Sequence, residues 1–279
     1  MPRIRIITLT VIAMVAFAGN SLLCRAALRH TSIDSASFTI VRIVAGAAVL
    51  WLAARLHSSS LAGKGNWLSA LALFAYAACF SFAYVSLPAA TGALLLFGAV
   101  QATMIGHGLW KGERLGLLQG IGMALALGGL ILLLLPGLSA PPLASSLLML
   151  GAGIAWGIYS LRGKGAGDPT RVTAGNFLRA VPFAATLSLF MLNDTNLDET
   201  GLWYAAASGA LASGAGYAIW YAALPALRAT TAAIVQLSVP VIAALGGIMF
   251  LNESMTLRLV IASAAVLGGI ALFLSRRRL

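Results

Sequence analysis

Charge is what this chain has least of. Only 9% of its 279 residues are Asp, Glu, Lys or Arg, against roughly 25% in soluble globular domains. Acids are the scarcer sign, seven against 18 Lys and Arg. They stand mostly at expected helix ends, so no paired general acid and base is in prospect. The three histidines, His30, His57 and His107, are scattered. No HExxH, GxSxG or phosphate-loop pattern occurs, which leaves no enzyme signature and no expected catalytic residue, metal or cofactor. The two cysteines, Cys24 and Cys79, lie in apolar runs. They read as packing residues and carry no information about redox compartment.

What the chain has in quantity is hydrophobic residues, 60% of the total, with a mean hydropathy of +0.95. In a soluble protein a net charge of +11 would suggest nucleic acid. In a chain this apolar, basic residues set orientation in a bilayer, so the expected partner is lipid and not nucleic acid. Runs such as Gly128 to Leu135 do not alternate polar and apolar residues, as barrel strands would. Helices are the remaining way to satisfy a backbone in hydrocarbon.

Apolar windows near the ~20 residues a bilayer requires give ten expected spans: 6–27, 35–56, 67–86, 90–110, 115–135, 145–161, 172–192, 201–222, 229–250 and 257–275. The first, behind Arg3 and Arg5, has no small-x-small cleavage site before Arg25 and is expected to be a retained helix. The span at 145–161 is short and is expected to extend toward Arg162. With a cytoplasmic amino terminus, 13 of the 18 Lys and Arg fall on the cytoplasmic side and three opposite, which predicts both termini inside.

The sequence also repeats itself. Ala16-Phe17 with Ser21-Leu22 returns as Ala155-Trp156 with Ser160-Leu161. Arg42 returns as Arg179, Tyr84 as Tyr221, and Leu87-Pro88-Ala89 as Leu224-Pro225-Ala226. Glu113 returns as Glu253, and Gly128-Gly129 as Gly268-Gly269. Two five-span halves, 1–137 and 138–279, are expected. An odd number of spans per half inverts one against the other, as in many secondary transporters.

Here a family resemblance becomes specific. The aromatic and serine motifs of spans 1 and 6 and the Tyr-x-x-Leu-Pro-Ala ends of spans 3 and 8 resemble the drug/metabolite transporter superfamily. So do the Pro-containing span 9 and the paired segments at Glu113 and Glu253. Within it, almost the whole chain is similar to the EamA family. The resemblance implies an all-α membrane protein of ten helices in two inverted repeats, exporting amino acids or related metabolites, and spans 1, 3, 4, 6, 8 and 9 around a central cavity. One departure is Val100, where the second half has Pro240.

On those spans the expected substrate-binding residues are Phe17, Asn20, Ser21, Tyr76, Phe80, Tyr84, Gln101, Trp156, Tyr159, Tyr217, Trp220, Tyr221 and Gln236. Rings would meet an apolar body, and hydroxyls or amides its polar groups. Tyr84 and Tyr221, near span ends, also fit an interfacial belt. A mid-membrane amide such as Asn20, Gln101 or Gln236 must find a partner. Pro240 is expected to bend span 9 mid-helix and to serve gating.

Ionisable groups inside lipid are functional candidates. Arg42 and Arg179 fit either a substrate carboxylate or, as the favoured expectation, a structural role of snorkelling and binding carbonyls. His107 reads as a packing or interfacial residue rather than a proton carrier. Glu113 and Glu253 are expected to stabilise the helices that follow them. The small-residue stripes Gly116, Gly120, Ala124, Gly128 and Val260, Ala264, Gly268 are expected to pack spans 5 and 10, within one subunit or in a homodimer.

Together these readings predict an inner-membrane exporter working by alternating access. A transporter of sugar phosphates or drugs, or a non-transporting sensor or scaffold, is the alternative. Phosphate would call for several cavity cations.

Overall fold

The computed structural model describes residues 2–57, 64–112, 115–135, 140–163, 168–227 and 235–275. No strand occurs among them. The helices are α1 (Arg3–His30), α2 (Ser35–His57), α3 (Trp67–Tyr84), α4 (Ala89–Trp110), α5 (Leu117–Leu134), α6 (Leu143–Gly163) and α7 (Pro169–Phe190). They are followed by α8 (Glu199–Ala207), a π-helical stretch π1 (Ser208–Ala215), α9 (Gly216–Ala223), α10 (Ser238–Leu251) and α11 (Leu257–Ser275). α8, π1 and α9 run on through right-handed helical residues and fill expected span 8. α11 fills span 10, α10 takes up 238–251 of span 9, whose residues 229–234 lie outside the described ones, and α6 extends to include Arg162.

α1 to α6 are long and apolar enough to cross a membrane, and α10 and α11 are shorter apolar helices. Their starts follow from local chemistry. Asn66, Asp168 and Asp198 accept the backbone N–H groups of Ser69, Arg171 and Gly201, satisfying donors that a helix start leaves unpaired. Large apolar side chains such as Val11, Leu52, Ile131, Leu147 and Phe250 cover the outside, a surface that suits lipid and not water.

Packing follows the repeat. α1 lies against α8, π1, α9 and α10, while α6 lies against α3 and α4. These are corresponding neighbours in the two halves. α2 packs on α7 and α5 on α11. The centre is therefore bounded by α1, α3, α4, α6, the α8–α9 run and α10, with the α5–α11 pair to one side.

That pair corrects the within-subunit half of one expectation. A Cβ on Gly122 would lie 2.5 Å from the Gly269 carbonyl oxygen, and one on Gly269 would lie 2.5 Å from that of Gly122. The two backbones touch there, which only glycine permits. Gly129, seven residues on, faces Ala262 and Ala265 on the same seam. The four-residue stripes point elsewhere: a Cβ on Gly120, Gly128 or Gly268 would meet nothing within 4 Å, and Ala124, Val260 and Ala264 are exposed. Both spacings coexist in one helix, and packing selects the seven-residue one.

Pro240 corrects another. It sits in the first turn of α10, where its missing N–H is one that any helix start leaves unpaired. Its ring would crowd the carbonyl of Gln236, four residues back. Val235 and Gln236 are helical but separated from α10 by a turn at Leu237. The expected mid-helix bend is thus an interruption just ahead of the proline.

Candidate functional site

At the centre of the fold, α1 supplies Phe17, Asn20 and Ser21 to a cavity that α3 joins with Tyr76 and Phe80. Trp156 of α6, Tyr217 of α9 and Gln236 complete the expected members, and Leu96, Phe97 and Ala212 complete the wall. Eight of the thirteen expected substrate-binding residues therefore converge. The cavity holds about 30 Å³, room for a water or two. Trp156 lies between Tyr76 and Tyr217, with ring centres 4.9 and 5.1 Å away, and Phe17 meets Tyr217 edge-on at 5.7 Å.

Five expected residues lie off this surface. Tyr84 is fully buried, its ring against the bare backbone of Gly92 and its hydroxyl donating to the Ala89 carbonyl at 3.3 Å. Its place near a span end marks a packed joint and not an interfacial belt. Tyr159 packs on Trp156 and accepts from Asn176 at 3.4 Å. Trp220 stands behind Phe17, and Tyr221 packs partly buried against the core. Gln101 lines a separate apolar cavity between α4, α5 and α11. Neighbours on a helix face share a periodicity but not a common target, and helix rotation decides among them. His107, in the last turn of α4, is also off the central cavity.

A polar network backs the cavity. Ser208 donates to the Asn20 oxygen at 2.6 Å, and Asn20 donates to the Tyr76 hydroxyl at 3.1 Å. Arg42 donates to that same hydroxyl through Nη2 at 3.0 Å and to Ser213 through Nε at 3.5 Å. Arg42 is only 2% exposed. Its guanidinium lies 4.7 and 5.1 Å from the ring centres of Phe80 and Tyr76, and its Nη1 has no hydrogen-bond partner. The π-helical stretch makes this possible. Its wider i→i+5 turn directs both Ser208 and Ser213 inward, five residues apart. Gly209 between them lies where a Cβ would come within 2.2 Å of Arg42's own carbonyl oxygen. The expected structural role of Arg42, bound to carbonyls, is not what the geometry shows. No periodic signal in Ser208–Ala215 announces the π turn.

A second buried arginine is built differently. Arg25 donates through Nε to Glu253 Oε1 at 3.1 Å and through Nη1 to the carbonyls of Tyr84 and Val85 at 2.9 and 2.8 Å. Glu253 Oε2 accepts the Ala89 N–H at 2.8 Å, so it caps the start of α4. Left-handed Asn252, φ 50°, turns the chain back, and Gly247 leaves room for the carboxylate, which a Cβ there would approach to 2.7 Å. The expectation that Glu253 stabilises the next helix is corrected: Thr256 does so, accepting from Leu259. Glu113 lies outside the described residues.

Known proteins match this arrangement. A model of the EamA-like transporter family matches residues 4–135 and again 143–275. The chain belongs to that family. This EamA chain is a multi-pass membrane protein of a transporter family. It is similar to an uncharacterized protein of Pseudomonas aeruginosa, 59% identical over 99% of this chain and 97% of that one. A crystal structure of another protein, 20% identical, superposes with a TM-score of 0.69 over 98% of this chain and 99% of its own. At that identity the likeness is one of fold alone.

Proposed function

We propose that this EamA chain is a secondary transporter of the inner membrane that exports amino acids or similar small amphipathic metabolites by alternating access. Its halves, 1–137 and 138–279, would lie inverted with both termini cytoplasmic. The observation that carries the reading is the central cavity itself. Its rings and amides come from both halves, yet it holds about 30 Å³, far below the roughly 300 Å³ of a small ligand pocket. A substrate enters only if the helices around it part.

The Arg25–Glu253 contact supports such parting. It ties the ends of α1, α3 and α10 to the start of α4, four elements that all border the cavity, at one end of the bundle. Released, those ends are free to separate while the other end closes. The interruption at Leu237 gives α10 a place to pivot ahead of Pro240.

Efflux and counterflow in proteoliposomes, with a panel of amino acids and metabolites of similar size, test the reading. Trp156→Ala and Gln236→Ala are expected to lower transport while inserting normally. Wild-type rates for both variants would remove the cavity from the mechanism. A pH gradient applied across the same vesicles distinguishes proton antiport from facilitated diffusion, since only antiport responds to it.

A further inference from the structure

We infer that the cavity selects small organic monoanions, a single carboxylate on a flat apolar body, in preference to zwitterions and amines, with Arg42 and Tyr76 receiving the carboxylate. This rests on the transport reading above and, among its small amphipathic metabolites, ranks monoanions ahead of amino acids.

Three observations lead here. First, Arg42 is a buried cation without a counter-ion among the described residues. The described carboxylates lie elsewhere: Asp34, Asp168 and Asp198 start helices, Asp194 and Glu199 lie exposed beyond α7, and Glu253 holds Arg25. A charge buried this way is costly unless paired, and here one guanidinium nitrogen has no acceptor among the described residues. Second, the Tyr76 hydroxyl accepts from both Arg42 and Asn20. Its own proton has no acceptor among the described residues, and Tyr76 lines the cavity. Two donors thus lack an acceptor among the described residues, Tyr76 on the wall and Arg42 one layer behind it. Third, much of the remaining lining is aromatic, Phe17, Trp156 and Tyr217.

In this contracted form Arg42 stands one layer behind the cavity surface, covered by Phe80 and Tyr76. Their π faces partly satisfy it, as stand-ins for an anion. When the helices part, a carboxylate replaces them, accepting from Nη1 and from the Tyr76 hydroxyl as charge-assisted bonds. One cation balances one charge, which disfavours phosphate dianions. An ammonium group finds no carboxylate in the lining, so an amino acid gains at one end and loses at the other.

Titration of the purified full-length protein in detergent, followed by calorimetry or tryptophan fluorescence, tests this with three probes sharing one ring: phenylacetate, phenylalanine and phenethylamine. Affinity is expected to fall in that order. R42Q should weaken phenylacetate at least about tenfold without weakening phenethylamine, R42K should recover part of the loss, and Y76F should lose a few-fold. Should R42Q fail to fold, R42K and Y76F carry the reading. Equal affinities, tightest binding of the amine or zwitterion, no phenylacetate binding, or full displacement by chloride would overturn the assignment. Phenylacetate binding without transport of any compound in vesicles would instead overturn the transport reading and leave the site standing.

Discussion

Arg25 and Arg42 stand on neighbouring helices, 4% and 2% exposed, and the protein treats them in opposite ways. Arg25 has a carboxylate and two carbonyls. Arg42 has two hydroxyls, two ring faces and an unpaired nitrogen. The first is a finished structural contact, complete without any ligand. The second keeps one guanidinium nitrogen unpaired among the described residues, where the proposed carboxylate would bind. A buried charge is thus informative by its partners and not by its depth.

The sharpest way to break this comparison is to remove one partner from each. Arg25→Met leaves the buried Glu253 carboxylate without its counter-ion, and Glu253→Gln does the same to Arg25. Either is expected to cost about 3–5 kcal/mol in unfolding free energy, read by thermal or denaturant melting in detergent. The double variant R25M/E253M should recover most of it, because no lone charge remains. A single variant as stable as wild type would mean that the contact is incidental.

Next in size is the packing that positions Arg42. Gly209→Ala places a Cβ against the Arg42 carbonyl, backbone against side chain with no flexible group to give way, at an expected cost of about 1–3 kcal/mol. It should weaken phenylacetate binding as well, since α2 must shift. Gly120→Ala is the control: a Cβ there meets nothing within 4 Å, and replacing glycine in a helix stabilises by up to about 1 kcal/mol. Equal effects from the two would sink the claim that π1 and α2 meet at a required glycine.

Smaller still is the expected stability change on removing Arg42 itself. Its cation–π contacts and hydroxyl bonds offset a desolvation penalty of similar size, so R42Q is expected to melt within about 1 kcal/mol of wild type. Arg179, its repeat counterpart, sharpens the point. It is half-buried and donates to the carbonyls of Lys64 and Gly175, at the rim of an open basic cavity of about 310 Å³ that also touches Arg55 and Arg171. R179Q should also cost under about 1 kcal/mol but leave phenylacetate affinity within about twofold. Comparable affinity losses in both variants would show that symmetry, and not burial without partners, identifies the site.

Much of this fold was legible because lipid leaves few choices. Each backbone group in hydrocarbon must bond within its own helix, so apolar runs and breaks locate the helices to within a few residues. Phe17, Asn20, Trp156 and Gln236 were legible as cavity residues because polar and aromatic groups are conspicuous in such runs. What was not legible is rotation and long-range pairing. Tyr159 and Gln101 sit on the right helices facing the wrong way for the cavity. Glu253 reaches Ala89 and Arg25 across 164 and 228 residues, a meeting that no local pattern encodes. Arg42 and Arg179 look alike in sequence because the repeat preserves position, while their partners come from π1, α3 and a loop that the repeat does not preserve.

Asp34 supplies the third case, a charge with no counter-ion that is nevertheless satisfied, and with it the smallest predicted effect. Its Oδ1 accepts the N–H groups of Ala36 and Ser37, both at 2.9 Å, and its Oδ2 accepts that of Asn196 at 3.0 Å. It thereby starts α2 and ties the α1–α2 turn to the segment before α8. Burial works to raise its pKa, but the bonds from Ser37, Asn196 and Ala36 outweigh it, and the carboxyl is held below its ordinary value. The sign follows. A carboxyl depressed on folding adds stability that is fully present above its unfolded pKa of about 3.9 and is lost as pH falls through the lower folded value. Melting temperature in detergent should therefore not vary with pH on account of Asp34 near neutrality, and should decline on the acid side of about pH 4. Asp34→Asn should lower it at neutral pH and flatten that decline. An acid limb unchanged in the variant would mean that these bonds do not hold the charge, and that Arg42 is no more exposed to want than Asp34. A flattened limb would establish that hydrogen bonds suffice for a partly buried charge, which makes their incompleteness at Arg42 the feature that the proposed carboxylate would complete.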